Sequence, residues 1–448
     1  MADIAPFRAL RFDLGRVGDV ARVLAPPYDV ISDRERADLE ARHDRNVVRL
    51  ILPRGDGDDR YARARDLLAA WTADGTLRRD ERPALYRYEQ TFVWPPAPAG
   101  GQGAAPGGRT WVRRGFITLL RLSPFSERVV LPHEHTLSGP KADRLKLMRA
   151  ARAHFSQIFG LYRDAQGVVE EALSAVEGET PTLDATTADG CRHRMWPITD
   201  ARVIAQVAAA MRGRQVMIAD GHHRYETMIA LRDELRPTDM PPGASAADWG
   251  HFFLARAEDP GLLVLPTHRL VKGLPRFDAD AFRRQAAGKF RVWQGREADP
   301  AAIEAGLRRE GASGPVFALR TRGETTWLAL RADADTSELG PRELQRLDVT
   351  VLHGLVLGPL LGIDKEAVVK QSHLVYTHDA IEALERVETG AVQAAFLMNA
   401  TRVDQVIDAC EAGFVLPQKS TYFQPKLATG ITLYEIDPRA RVTPADVR

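Results

Sequence analysis

Cysteine is scarce: Cys191 and Cys410 are the only two in the 448-residue chain, far apart and in no metal-type spacing. That argues against a disulfide framework or a thiolate zinc site, and both read as small buried hydrophobes. An excess of either charge is also missing. Lys and Arg number 61 against 60 for Asp and Glu, so the formal net charge of +1 offers no whole-surface attraction for nucleic acid or membrane. Any electrostatic function has to be local. Long apolar runs are absent as well. The first residues, Met-Ala-Asp-Ile-Ala-Pro-Phe-Arg, lack the basic region and apolar core of a signal peptide, and the stretch 351–363 is broken by His353, Gly354, Gly358 and Pro359. No membrane span and a cytoplasmic location are expected. What the chain does have is 44% hydrophobic and 27% charged residues, ordinary for a globular protein, and length enough for two or three domains.

Its organising stretch is Gln215 to Thr227. Val216, Met217, Ile218 and Ala219 read as a buried strand that stops at Asp220-Gly221, and Met228, Leu231 and Leu235 then recur at helical spacing. Asp220 and Gly221 stand where a cap and a permissive backbone are wanted. His222, His223 and Arg224 fall in the first turn, where the helix dipole is already positive and stability alone would call for acids. Two imidazoles, a guanidinium and free N–H groups make a cradle for an anion, most naturally phosphate.

Before it, Ser32 caps a helix expected over 33–43, 46–53 reads as a strand, 60–74 as a helix, and 84–94 as an aromatic strand. Residues 95–108 are a Pro/Gly/Ala-rich segment, read as a long hairpin loop because the strands on either side are aromatic and β-branched. Pro140 opens a helix to about 153 that carries Lys141, Arg144, Lys146, Arg149 and Arg152 against Asp143 alone. Strand 156–162 and helices 168–176 and 200–211 follow. Met240 to Ser245 collects turn formers and marks a boundary, which predicts an N-terminal region 1–240 and a C-terminal α/β domain 246–448. In the latter, 347–361 reads as an apolar helix, and segments between 374 and 412 alternate strand and helix, predicting a partly parallel sheet.

Three polar constellations carry the chemistry: Glu134 between His133 and His135, the turn 221–224, and the Lys419–Lys426 loop with its two hydroxyls. Glu134 is a surface acid or a general base in a tunable neighbourhood. The loop reads as structural before catalytic. His133 and His135 with His222 or His223 and Glu134 sketch a metal site, but the spacing matches no established zinc signature, and no metal ligand is assigned.

Leu131-Pro132-His133-Glu134-His135-Thr136, the basic helix, Gln157-Ile158-Phe159-Gly160-Leu161-Tyr162, Ala219-Asp220-Gly221-His222-His223-Arg224-Tyr225-Glu226, Pro26-Pro27-Tyr28-Asp29-Val30-Ile31-Ser32 and Pro417-Gln418-Lys419-Ser420-Thr421-Tyr422-Phe423 together resemble the family of domain of unknown function 1015. More distantly, residues 131–236 resemble the core of the ParB and sulfiredoxin superfamily, and the Asp-Gly-His-His-Arg-Tyr form is most similar to its free-serine kinases. The resemblance implies an α+β fold with a mixed-sheet core. It also implies nucleotide phosphates held by Asp220, Gly221, His222, His223 and Arg224 with Lys141 and Arg144, Glu134 as the base that activates a hydroxyl, and Mg2+ with ATP or ADP. The implied activity is phosphotransfer to a small hydroxylated metabolite, free serine first. The alternatives are a nucleotide-binding regulatory switch without transfer, and a metal-dependent hydrolase. Nucleic acid is an unlikely partner, since no helix-turn-helix or basic stripe stands out, and the oligomeric state is left open.

Overall fold

A computed structural model describes residues 1–96, 108–134, 136 and 138–444. The chain divides into two compact units. One comprises Met1–Pro132, Thr136–Leu262 and Pro425–Arg448, and the other Leu263–Gln424 with the short segment at His133 and Glu134. The architecture is α+β, as expected.

The first unit is built on a mixed sheet. Its strands run in the order Val130–Leu131, Val216–Asp220, Ile158–Tyr162, Trp249–Arg256, Arg109–Arg121, Leu85–Trp94, Arg192–Ile198 and Leu183–Thr186, with Ile4–Ala5 paired to the end of Arg109–Arg121. Val216–Asp220 is parallel to Val130–Leu131, and Trp249–Arg256 is parallel to Ile158–Tyr162; the remaining pairings are antiparallel. Leu85–Trp94 and Arg109–Arg121 pair from Tyr86 opposite Ile117 to Trp94 opposite Arg109, the two arms of the expected hairpin. Most of the predicted loop between them lies outside the described residues, as does His135. Gly160 makes the close strand approach possible: a Cβ there would lie 2.6 Å from Val216 Cγ1.

Helices follow their local signals with one exception. Ser32 caps Asp33–Arg42 in a capping box with Glu35, and Asp200 caps Ala201–Met211. The predicted strand at 46–53 is instead the one-turn helix Val48–Ile51. The Asn46 side chain explains the correction, because its Oδ1 accepts from Val48 N while its Nδ2 donates to the carbonyls of Arg22 and Leu24. A buried asparagine bonded in this way folds the chain into a turn, whatever the β-propensity of the valines around it.

The second unit has a six-stranded sheet in the order Phe290–Gly295, Glu324–Leu330, Val316–Thr321, Ala394–Met398, His268–Val271 and Leu374–Thr377. Every pairing in it is antiparallel, which corrects the expected parallel part. Leu374–Thr377 and Ala394–Met398 do run the same way, but His268–Val271, from a hundred residues earlier in the chain, lies between them and pairs with both. Helices Ala380–Glu388 and Pro300–Glu310 bury Ala383, Leu384, Ile303 and Leu307 against Trp327, Leu270 and Leu397. The apolar segment predicted as a helix over 347–361 is helical, with a π-helical stretch Leu352–Leu357 between two α-helical turns.

Candidate functional site

The strand Val216–Asp220 ends in an irregularity. Ile218 faces Gly160 and Asp220 faces Phe159, so the register slips by a residue just before the turn and re-aims the Asp220 side chain. Gly221 follows at φ 100, and the helix His222–Leu235 begins. A side chain at 221 would be strained there and would meet Arg224 Nη2 at 2.9 Å and Ile158 Cδ1 at 3.0 Å. Tyr225, Met228 and Leu231 bury the helix against the sheet, and the Tyr225 hydroxyl donates to Ser123 O at 2.7 Å.

Asp220 does not cap this helix, contrary to expectation: the N-cap position falls to Gly221, which has no side chain to do it. The carboxylate is held elsewhere: Oδ2 accepts from Arg224 Nη2 at 2.7 Å and Oδ1 from Lys426 Nζ at 2.6 Å. Burial alone would raise the Asp220 pKa, but Lys426 and Arg224 outweigh it and hold the carboxyl well below the usual range. Arg224 is only 5% exposed and spends its other donors on Ser156 Oγ at 2.8 Å and Gln157 O at 2.7 Å. It ties the turn to the start of Ile158–Tyr162. His222 is buried and His223 half-buried.

Beneath this turn lies Arg113, 0% exposed, on the strand Arg109–Arg121. Its guanidinium donates to Gln90 Oε1 and, at 2.6 Å, to Pro425 O, and it lies over the Phe159 ring at 4.7 Å. None of these partners is a carboxylate, and its Nη1 has no hydrogen-bond partner among the described residues. Desolvation pulls its pKa down to about 10. Arg224 and Lys426 thus bond the two oxygens of one carboxylate, and Arg113 adds a buried positive charge that feels both Asp259 and Asp220.

The basic helix, Ser138–Ala151, spends most of its charge on its neighbours. Lys141 donates to Glu226 Oε2 at 2.7 Å and to Thr136 Oγ1 at 3.0 Å, and Arg149 pairs with Glu234, so two of its cations grip the turn helix. Arg144 donates to Ile51 O at 2.7 Å, pairs with Asp143 and stands 4.2 Å from the Tyr28 ring centroid. Tyr28, Arg144, Arg224 and Ser156 face a cavity of about 20 Å³, large enough for about one water. Within this unit the structure therefore brings Asp220 to Arg224 together with Arg144, and adds Tyr28, Ser156 and Lys426, which sequence reasoning left without a role. Tyr28 and Lys426 both lie in motifs that the sequence had already set apart.

In the second unit, Glu134 bridges to Leu416 in parallel, and Leu416 N donates to His133 O at 2.8 Å. His133 is buried, with Nε2 2.9 Å from Thr421 Oγ1. Here the Glu134 motif meets the start of the 416–426 loop, whose Lys419 carbonyl accepts from Arg269 Nη2 at 3.0 Å. Arg269, also fully buried, has carbonyl, thioether and imidazole partners and a pKa pulled down to about 10 by desolvation.

The family described as Protein of unknown function (DUF1015) matches residues 4–350. No curated protein matches the chain. Among solved structures it is similar to a free serine kinase in complex with AMP, at 16% identity over 69% of this chain and 88% of that one, with a TM-score of 0.34. A variant of a free serine kinase in complex with ADP gives 16% identity over 69% of this chain and 89% of that one, TM-score 0.35. A conserved hypothetical protein from Pyrococcus furiosus gives 15% identity over 71% and 93%, TM-score 0.33.

Proposed function

The chain belongs to the DUF1015 family of proteins of unknown function, and from that premise we propose that it is a nucleotide-dependent phosphotransferase acting on a small hydroxylated metabolite. The observation that carries this reading is the helix start at Gly221, which has no side-chain cap, beside an Asp220 whose two oxygens are bonded by Arg224 and Lys426. Amides without a cap and cations in excess are what a nucleotide's phosphates need. His222 and His223, in the first turn, and Lys141 and Arg144, on the basic helix, are the further phosphate ligands of this proposal.

In the reaction, Glu134 takes the proton of the acceptor hydroxyl as its oxygen bonds to the terminal phosphorus. The bond from that phosphorus to the bridging oxygen breaks, and the shortened nucleotide leaves with the electron pair. Catalysis of this kind rests on positioning and charge neutralisation. Mg2+ belongs to the proposal as the nucleotide's companion. When bound, such an ion would neutralise phosphate charge.

Free serine is the first acceptor to assay. Full-length protein incubated with Mg2+, ATP or ADP, and serine or other hydroxylated metabolites is expected to yield a phosphorylated acceptor visible by phosphorus NMR. Glu134→Gln is expected to retain nucleotide binding and lose turnover. Nucleotide binding without product from any acceptor would leave a binding switch and remove the kinase reading; full turnover by Glu134→Gln would remove the base.

A further inference from the structure

We propose that Lys426 is a phosphate-contacting residue of the nucleotide site, held ready by Asp220 and released to the ligand when phosphate arrives. This inference rests on the nucleotide-binding reading above and extends the site to a segment beyond residues 4–350, where the family match ends.

Three observations converge on it. The first is how the segment is mounted. Pro425 O accepts from the buried Arg113 and Lys426 O accepts from Gln90 Nε2 at 3.3 Å, so two side chains of adjacent sheet strands clamp the backbone on either side of the Lys426 Cα. Beyond it the chain stays pinned. Thr429 exchanges backbone hydrogen bonds with Ala25, Thr432 O and Oγ1 accept from Gln157 Nε2, and Tyr434 pairs with His154. A surface lysine has no need of such a mount.

The second is the ammonium's position. Its 2.6 Å bond to Asp220 Oδ1 sets it at the end of the strand whose next residues open the uncapped helix, with the side chains of Lys426 and Asp220 18% and 17% exposed. Both remain in reach of a ligand from solvent. The third is the charge count. Asp220 already has Arg224 on its other oxygen at 2.7 Å, so two cations share this carboxylate, and the buried Arg113 has no carboxylate among its hydrogen-bond partners in the described residues. An incoming phosphate restores balance when the mobile ammonium turns towards it and leaves Asp220 to Arg224. Lysine suits this exchange as a compact charge on a flexible stem, whereas the planar Arg224 is fixed by its hydrogen bonds to Ser156, Gln157 and Asp220.

The test is calorimetric titration of the full-length protein with ADP, inorganic phosphate and adenosine. Wild type, Lys426→Met, Lys426→Arg and His222→Ala are compared, with unliganded thermal unfolding recorded for each. Lys426→Met is expected to weaken ADP and phosphate roughly tenfold or more, the usual loss of one charge-assisted hydrogen bond. It should leave adenosine affinity within about twofold, and Lys426→Arg should restore most of the loss. Equal weakening of adenosine would show a merely structural lysine and overturn the inference. So would unchanged ADP binding by Lys426→Met while His222→Ala weakens it, and in that case the nucleotide-binding reading stands. A wild type that binds neither ADP nor phosphate overturns both.

Discussion

Each unit contains a strand that turns into a helix by way of an aspartate, and the two aspartates do opposite things. In the second unit Leu374–Thr377 leads to Asp379, whose Oδ1 accepts from Ile381 N at 2.7 Å and Glu382 N at 3.3 Å and caps Ala380–Glu388. The same device recurs at Asp200, Asp278, Asp299 and Asp364. In the first unit Val216–Asp220 leads to a helix start with no side-chain cap, while Asp220 turns away to Arg224 and Lys426. A cap is worth about 1 kcal/mol, and the aspartate that could supply it is adjacent. Giving up that stabilisation at one turn, in a chain that takes it at so many others, is what the proposed site would require and a simple joint would not.

The largest effect that could break this contrast is expected at Gly221. Its φ of 100 and the 2.9 Å approach of Arg224 Nη2 leave no room for a methyl group, so Gly221→Ala should cost about 3 kcal/mol in urea unfolding. A loss under about 1 kcal/mol would mean that the turn relaxes freely and is not a fixed cradle.

Asp220→Asn comes next. Removing the charge leaves Arg224 and Lys426 facing an amide, and the pair's partial exposure holds the expected cost to about 2 kcal/mol at pH 7. The pH dependence has a definite sign. The folded pKa lies below the unfolded one, so the carboxylate's contribution is present above about pH 4 and fades as pH falls below it. The gap between wild type and variant should therefore close only in acid. Millimolar phosphate should also narrow it at pH 7, since the anion replaces the missing charge; a gap indifferent to phosphate would count against an anion site. Asp379→Ala is the control, losing about 1 kcal/mol of cap with no response to phosphate.

The contrast was half legible in the sequence. The apolar run, the Asp220-Gly221 stop and the basic first turn are local signals, and the strand, the left-handed glycine and the helix stand where they predict. Ser32 and Pro140 likewise announced their helices. What failed was long-range. The expected cap at Asp220 was lost to Lys426, 206 residues later in the chain, and the expected parallel pairing was lost to His268–Val271, which enters between two strands that a sequence window reads as neighbours. Asn46 defeated the strand reading because its partners, Arg22 and Leu24, lie outside any local window. Sequence pattern reports the preference of a segment, whereas these outcomes were decided by partners brought in by the fold.

The smallest expected effect decides whether the positive field at the turn is local or spread over the basic helix. Lys146 pairs with Asp58 at 2.8 Å, with side chains 46% and 70% exposed, so the ammonium is bathed in counter-ions. Exposed pairs contribute about 0–1 kcal/mol, and at physiological salt a charge about 8 Å or more from a ligand is largely screened. Lys146→Ala should then change stability by less than about 0.5 kcal/mol and ADP affinity by less than about twofold. If the basic helix instead attracted the nucleotide by its summed charge, this variant would lose affinity as Lys426→Met does, and the loss would vanish at high salt. Affinity that survives in Lys146→Ala and falls in Lys426→Met would assign the binding energy to the cations at Asp220, where one carboxylate bonds both Arg224 and Lys426.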